Sequence, residues 1–187
     1  DTINFGGSWT QSGTATSTGS TALFNASAAQ EIKTGANFNN LTITNTHAAQ
    51  KVTVTAPASS TVTASGTLQV TDGILNLGTD VTVTVTGTTT ISAGASVEVA
   101  NSTLILNDTV TVNGTMALTG DAVDASIVKI GGGAQKTLTV SNTGTFSSLT
   151  TGLQPKITAV DTTSGPFYQF TVNGAINING LDFEGSG

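Results

Sequence analysis

The sequence predicts an all-β fold wound as a parallel solenoid, a β-helix with coils of about 20–30 residues and essentially no helix. Three observations predict it. Apolar residues alternate with polar ones at period two, mostly as Val, Ile and Thr, whose branching suits a pleated, half-buried strand. Gly, Asn, Asp and Ser, which accept tight turns, separate those runs. A glycine followed by a short alternating strand recurs in SGTLQV at 65–70, TGTTTI at 86–91, NGTMAL at 113–118, TGTFSS at 143–148 and NGAINI at 173–178.

In chain order, strands are predicted at VTVT (52–55), TLQVT (67–71), ILNL (74–77), VTVTV (81–85), SVEV (96–99), TLIL (103–106) and TVTV (109–112). In VTVTVT, Val81, Val83 and Val85 face inward, and Thr82, Thr84 and Thr86 face solvent. Glycines 66, 87, 114, 144 and 174 are spaced by 21, 27, 30 and 30 residues. A propeller blade does not tolerate that drift, whereas a solenoid absorbs insertions at its corners. Each repeat is therefore read as one coil of two or three strands. Stacking at about 4.8 Å, roughly seven coils make a rod about 35 Å long.

The 187 residues are read as one solenoid domain, 1–187. Residues 1–60 hold aromatic-containing first coils, 61–145 regular aliphatic coils, and 146–187 less regular, aromatic-rich end coils. Phe5, Trp9, Phe24 and Phe38 lie near the start, and Phe146, Phe167, Tyr168, Phe170 and Phe183 near the end, with none between. Large rings fill wider coils. Residues 150–172 break the pattern and read as a long corner or an end structure.

Composition narrows the function classes. Only 9% of residues are charged, and eleven acids face five lysines with no arginine, for a net charge of −6. That balance argues against nucleic acid and anionic membranes, which attract clustered cations. Without cysteine there is no disulfide framework and no thiolate metal site. No apolar run approaches the roughly 20 residues of a membrane helix, so no membrane insertion is expected.

The module SWTQSGTATSTGSTALFNASAAQEIKTGANFNNLTITNT, 8–46, resembles a recurrent unit of large bacterial surface and secreted proteins. In that unit a tryptophan and a polar-Gly turn lead into T-x-x-F-N, Q-x-I and F-x-N-L-T-I-x-N strands. Trp9, Ser12, Gly13, Phe24, Asn25, Gln30, Ile32, Phe38, Asn40, Leu41, Thr42, Ile43 and Asn45 occupy those positions. SGTLQVTDGILNLGTDVTVTVTG looks like the next unit. The resemblance covers about the first 90 residues and the remainder only in style. It implies a right-handed β-helix on or outside a bacterial cell, in a stalk, adhesin or autotransporter-like passenger, and a chain that is a segment or a processed subunit.

Candidate sites are sparse. His47, the single histidine, stands in a turn without His or Cys neighbours and reads as a loop residue. Asp121 and Asp124, with Asn107 and Asp108 near them in repeat space, are weak calcium candidates through hard oxygens, although no calcium-loop motif is present. No other cofactor is expected. A polysaccharide-cleaving β-helix needs converging carboxylates, or calcium acids with an arginine, but Asp72, Asp80 and Glu98 are dispersed and arginine is absent. The chain is therefore read as not an enzyme. T-x-T pairs, including Thr82, Thr84 and Thr86 with Thr109 and Thr111, resemble the threonine arrays of ice-binding solenoids, which require ladders in register. The drifting glycine spacing argues against such register, and threonine is in any case the polar residue best suited to an exposed strand.

The expected role is a non-catalytic structural element of a bacterial surface or extracellular filament. Alternatives are an adhesin module that binds a glycan or a host or surface protein, an ice-binding solenoid and a polysaccharide-degrading enzyme. The expected partner is the chain itself, end to end, or neighbouring modules of a longer chain. Phe5, Trp9, Phe167, Tyr168, Phe170 and Phe183 are the end-contact candidates, because an uncapped coil exposes unpaired backbone groups and an apolar cross-section.

Overall fold

The computed structural model describes residues 1–10, 19–33, 35–46, 51–55, 61–121, 123–132, 134–161 and 168–184. His47 and Phe167 lie outside them. The described residues form twenty-two strands in three parallel sheets, with no helix. The first sheet contains β1 (Thr2–Phe5), β2 (Thr21–Phe24), β5 (Asn40–Thr44), β8 (Leu68–Asp72), β11 (Thr89–Ile91), β14 (Val110–Val112), β17 (Thr137–Val140) and β20 (Gln169–Val172). The second contains β3 (Gln30–Ile32), β6 (Lys51–Val54), β9 (Ile74–Leu77), β12 (Ser96–Ala100), β15 (Thr115–Gly120), β18 (Thr145–Thr150) and β21 (Ala175–Asn179). The third contains β4 (Ala36–Phe38), β7 (Thr61–Ala64), β10 (Thr82–Val85), β13 (Thr103–Leu106), β16 (Ile127–Ile130), β19 (Lys156–Ala159) and β22 (Asp182–Glu184). From β2 onward each strand pairs with the strand three places on, so three strands make one coil and the chain is a parallel β-solenoid. The stretch 150–172 contributes β19 and β20.

Alternation decides what fills the tube. Val62, Val83, Leu104, Val128 and Ile157 are register partners on the third sheet, and Val52, Leu75, Val97, Met116 and Phe146 on the second. All are buried in one continuous core. Val81, Val83 and Val85 are buried and Thr82, Thr84 and Thr86 are not, as the alternation requires.

The glycine series needs correction. Gly66 and Gly87 precede first-sheet strands, while Gly114, Gly144 and Gly174 precede second-sheet strands, so the series mixes two corners. The step from Gly87 to Gly114 is not one coil. Within each group the backbones stack: Gly87 N–H donates to the Gly66 carbonyl at 2.8 Å and Thr145 N–H to the Gly114 carbonyl at 2.7 Å. A Cβ on Gly87 would stand 2.7 Å from that Gly66 oxygen, which explains the residue type. Coil length, counted between register partners, runs from 19 residues (Thr2 to Thr21) to 32 (Leu138 to Phe170). Most of the surplus sits in the corners; within the strands the register shifts by one residue where Ile43 pairs with Val70 and Thr44 with Asp72.

The motif residues of the first module close the coils. Gln30, 1% exposed, donates through Nε2 to the Phe5 and Gly7 carbonyls of the preceding coil at 2.7 and 2.9 Å. Its Oε1 accepts from Ala26 N–H and from Asn45 Nδ2 of the next coil. A buried amide bonded on both sides staples three coils, where an unbonded one would destabilise them. Phe5, Trp9, Phe24 and Phe38 pack as one cluster with centroid separations of 5.0–6.1 Å. At the other end Phe146, Phe170 and Phe183 form a second.

Candidate functional surfaces

A groove of about 480 Å³ lies at the corner between the second and third sheets. It opens where the two-residue connection 101–102 is flanked by the longer connections 78–81 and 121–126. Asp80 and Asn101 both adopt left-handed backbone there, with φ of 59° and 51°, and Asp80 N–H donates to the Asn101 carbonyl at 3.0 Å. Non-glycine residues rarely take that conformation, Asn and Asp being the most tolerant. Asn101 Nδ2 donates to Asp121 Oδ2 at 2.5 Å, which fixes the amide and leaves Asn101 Oδ1 shielded and unpartnered. Ser102 Oγ is likewise shielded and unpartnered.

The calcium candidates are engaged by the chain itself. Asp121 Oδ1 accepts from the N–H groups of Val123 and Asp124 at 2.8 and 3.0 Å. The Asp124 N–H, then that of Val123, holds the Asp121 carboxyl below its ordinary pKa. Asp108 does not stand beside them. It follows a third-sheet strand, whereas Asp121 follows a second-sheet strand, so the two occupy different corners. Asp108 Oδ1 accepts from Lys136 Nζ at 2.9 Å and from Thr109 N–H at 2.7 Å, and its pKa is lowered chiefly by the lysine. Asp124 lines the groove, and its carboxylate makes no bond among the described residues. Among those residues no three His, Asp or Glu side chains group around one ion position. Asp72 accepts from Gly73 N–H, Asp80 lines the groove, and Glu98 on the second face binds Lys51 Nζ at 2.5 Å and Asn76 Nδ2 at 2.8 Å.

The outward threonines do not form one ladder. Thr82 and Thr84 lie on the third sheet, in register with Thr61 and Thr103 and with Thr63 and Ile105. Thr111 lies on the first sheet between Thr90 and Thr139, and Thr109 immediately precedes that strand. Thr86 follows β10 at a corner. Adjacency in sequence spans a corner here, so Thr82 and Thr84 lie on one face, Thr109 and Thr111 on another, and Thr86 between them.

The end-contact candidates divide too. Tyr168 is no end residue: it is 1% exposed and its hydroxyl donates to the Ile157 carbonyl at 3.0 Å inside the tube. Burial, with the nearby Asp182 and Glu184 carboxylates, pushes its pKa to about 12. Phe5, Trp9 and Phe170 are half-buried against the core. Phe183 is exposed, and so are Ile176 and Ile178, which sequence reasoning passed over. Ile176 and Ile178 are register partners of buried Phe146 and Ser148, so they occupy inward positions of a coil that no further described residues cover. The I-N-I alternation carried that signal.

Comparison with protein-family models, with curated proteins and with solved structures finds no match.

Proposed function

We propose that this chain is a non-catalytic structural rod of a bacterial surface or extracellular filament, lengthened by stacking a further coil on its C-terminal end. The carrying observation is the last coil. Ile176 is 49% exposed, Ile178 42% and Phe183 41%, all at positions that are core in the coils before. Among the described residues β20, β21 and β22 are the edge strands of the three sheets, each paired on one side only. An apolar cross-section ringed by unpaired backbone groups suits another coil of the same kind, and for the isolated chain a second copy supplies it. Ile3 at the opposite edge, 48% exposed and in register with buried Ala22, gives the second copy an apolar rim to meet. Head-to-tail contact of this sort does not close, so it produces linear assemblies. The surface location rests on the resemblance of the first module.

Sedimentation velocity over rising concentration, with negative-stain imaging, tests the reading. Linear species that lengthen with concentration and shorten in Ile176→Lys/Ile178→Lys are expected. A folded chain that stays monomeric at high concentration would refute it.

A further inference from the structure

One face differs from the other two. On the second face the outward rows carry Glu31, Lys51 and Glu98, and on the third Lys129, Lys156, Asp182 and Glu184. Along six coils the first face carries a single charge, Asp72 at the end of β8, in register with Thr44 and outside the two rows that follow. Its inner row is Thr42, Gln69, Thr90, Thr111, Thr139 and Thr171, successive register partners. Each of these is preceded two residues earlier by the neighbouring outward position: Asn40, Thr67, Thr88, Thr109, Thr137 and Gln169. Nine of the twelve positions are threonine and none is aromatic or charged. Variable coil length does not disturb these rows, because the insertions fall in corners and the one register shift on this face, between Ile43 and Thr44, lies beyond them.

The array is regular in two directions, about 4.8 Å along the rod and about 6.7 Å across it, over a length of about 24 Å. Threonine is β-branched and restricted at χ1, so its methyl and hydroxyl groups are held in place before any partner arrives. Thr42, Thr90, Thr111, Thr139 and Thr171 make no side-chain bond among the described residues. Each hydroxyl offers one donor and two acceptor sites, the capacity of a partner that both donates and accepts everywhere.

We propose that the first face docks on a water crystal. Only a partner that itself repeats in two dimensions engages both rows together, and these uncharged rows, mostly methyl and hydroxyl, bind ordered water without the strongly held hydration of ions. A crystalline polysaccharide also repeats, but the two rows offer neither an aromatic ring for a sugar to stack on nor a carboxylate to accept its hydroxyls. The proposal does not depend on end-to-end stacking and applies to whatever length of rod is present.

The test measures freezing-point hysteresis and partition of the chain into slowly grown ice, beside pull-down on powdered cellulose and chitin. The wild-type chain is expected to depress freezing below melting and to enter the ice. Thr90→Lys/Thr111→Lys/Thr139→Lys, with an unchanged circular dichroism spectrum, is expected to lose both. Thr63→Lys/Thr84→Lys on the third face, equally folded, is expected to keep both. Absence of hysteresis and ice partition in the folded wild-type chain overturns the proposal. Equal loss in both variants does so too, as does retention on cellulose or chitin without ice binding.

Discussion

Replacing Leu104 by alanine tests the packed tube at its centre. Leu104 is fully buried, with Val83 and Val128 as its register partners in the coils on either side. The change removes three carbons, a transfer loss of about 2.4 kcal/mol at about 0.8 kcal/mol each. The backbone ladders on both sides hold the coil spacing, so the gap cannot close by sliding the coils together, and a cavity term is added. The total falls at about 3–4 kcal/mol, within the range for buried leucines. With a urea m-value near 2 kcal/mol/M, the midpoint drops by about 1.5–2 M. Thr103→Ala, one residue earlier and pointing outward, is expected to stay within about 0.5 kcal/mol. Urea titration followed by circular dichroism and by fluorescence of Trp9, the single tryptophan, measures both. Leu104→Ala losing less than about 1 kcal/mol, or Thr103→Ala matching it, would refute the assignment of faces and with it the tube.

Tyr168 is the only tyrosine, so phenolate absorbance reports it cleanly. Its raised pKa stabilises the fold fully below the ordinary value of 10.0, and that contribution is lost as pH rises toward about 12; a titration midpoint near 10 in folded protein would contradict its burial. Gly114→Ala would drive a Cβ into the Ala95 and Ser92 carbonyl oxygens and is expected to cost about 3 kcal/mol, while Gly6→Ala meets nothing and is expected to be neutral or slightly stabilising by thermal melting. The depressed pKa of Asp121 adds stability above the ordinary carboxylate range, lost as pH falls through the lowered value; Asp121→Ala is expected to flatten that acid limb of a pH–stability curve. Lys156→Gln, at the exposed pair with Glu184, is expected to leave the urea midpoint indistinguishable from that of the parent chain.

The direction of each side chain was legible in the sequence, because period two is a local property: Val83 and Thr84 need no knowledge of their neighbours in space. What lies beside what was not. Gly87 and Gly114 sit in similar text yet turn different corners, and Thr84 and Thr111 point from different faces. Adjacency there is fixed by how many corner residues intervene, and no composition or period encodes that count. Tyr168 was misplaced for a related reason. An aromatic cluster looks the same in the sequence whether a ring plugs the tube or crosses its end, and only burial and the hydrogen bond to Ile157, eleven residues back, distinguish them.

The same separation of corner from strand accounts for the character of the surface. A solenoid core is one column wide, and its inward residues are constrained by the coils above and below rather than by anything outside. Every second residue is therefore released to the surface without cost to the core. Corners take insertions freely: one widens into the Asp80–Asn101–Asp124 groove while the strands on either side keep their register. Each sheet can then hold a surface of its own, with lysines and acids in the rows of the second and third faces and, Asp72 apart, uncharged threonine-rich rows on the first. A globular sheet that buried one face against a second layer would tie these choices together. In this chain the first face is free of that coupling, so its run of nine threonines needs a surface explanation, and strand propensity alone supplies none for the lysines and glutamates of the other two.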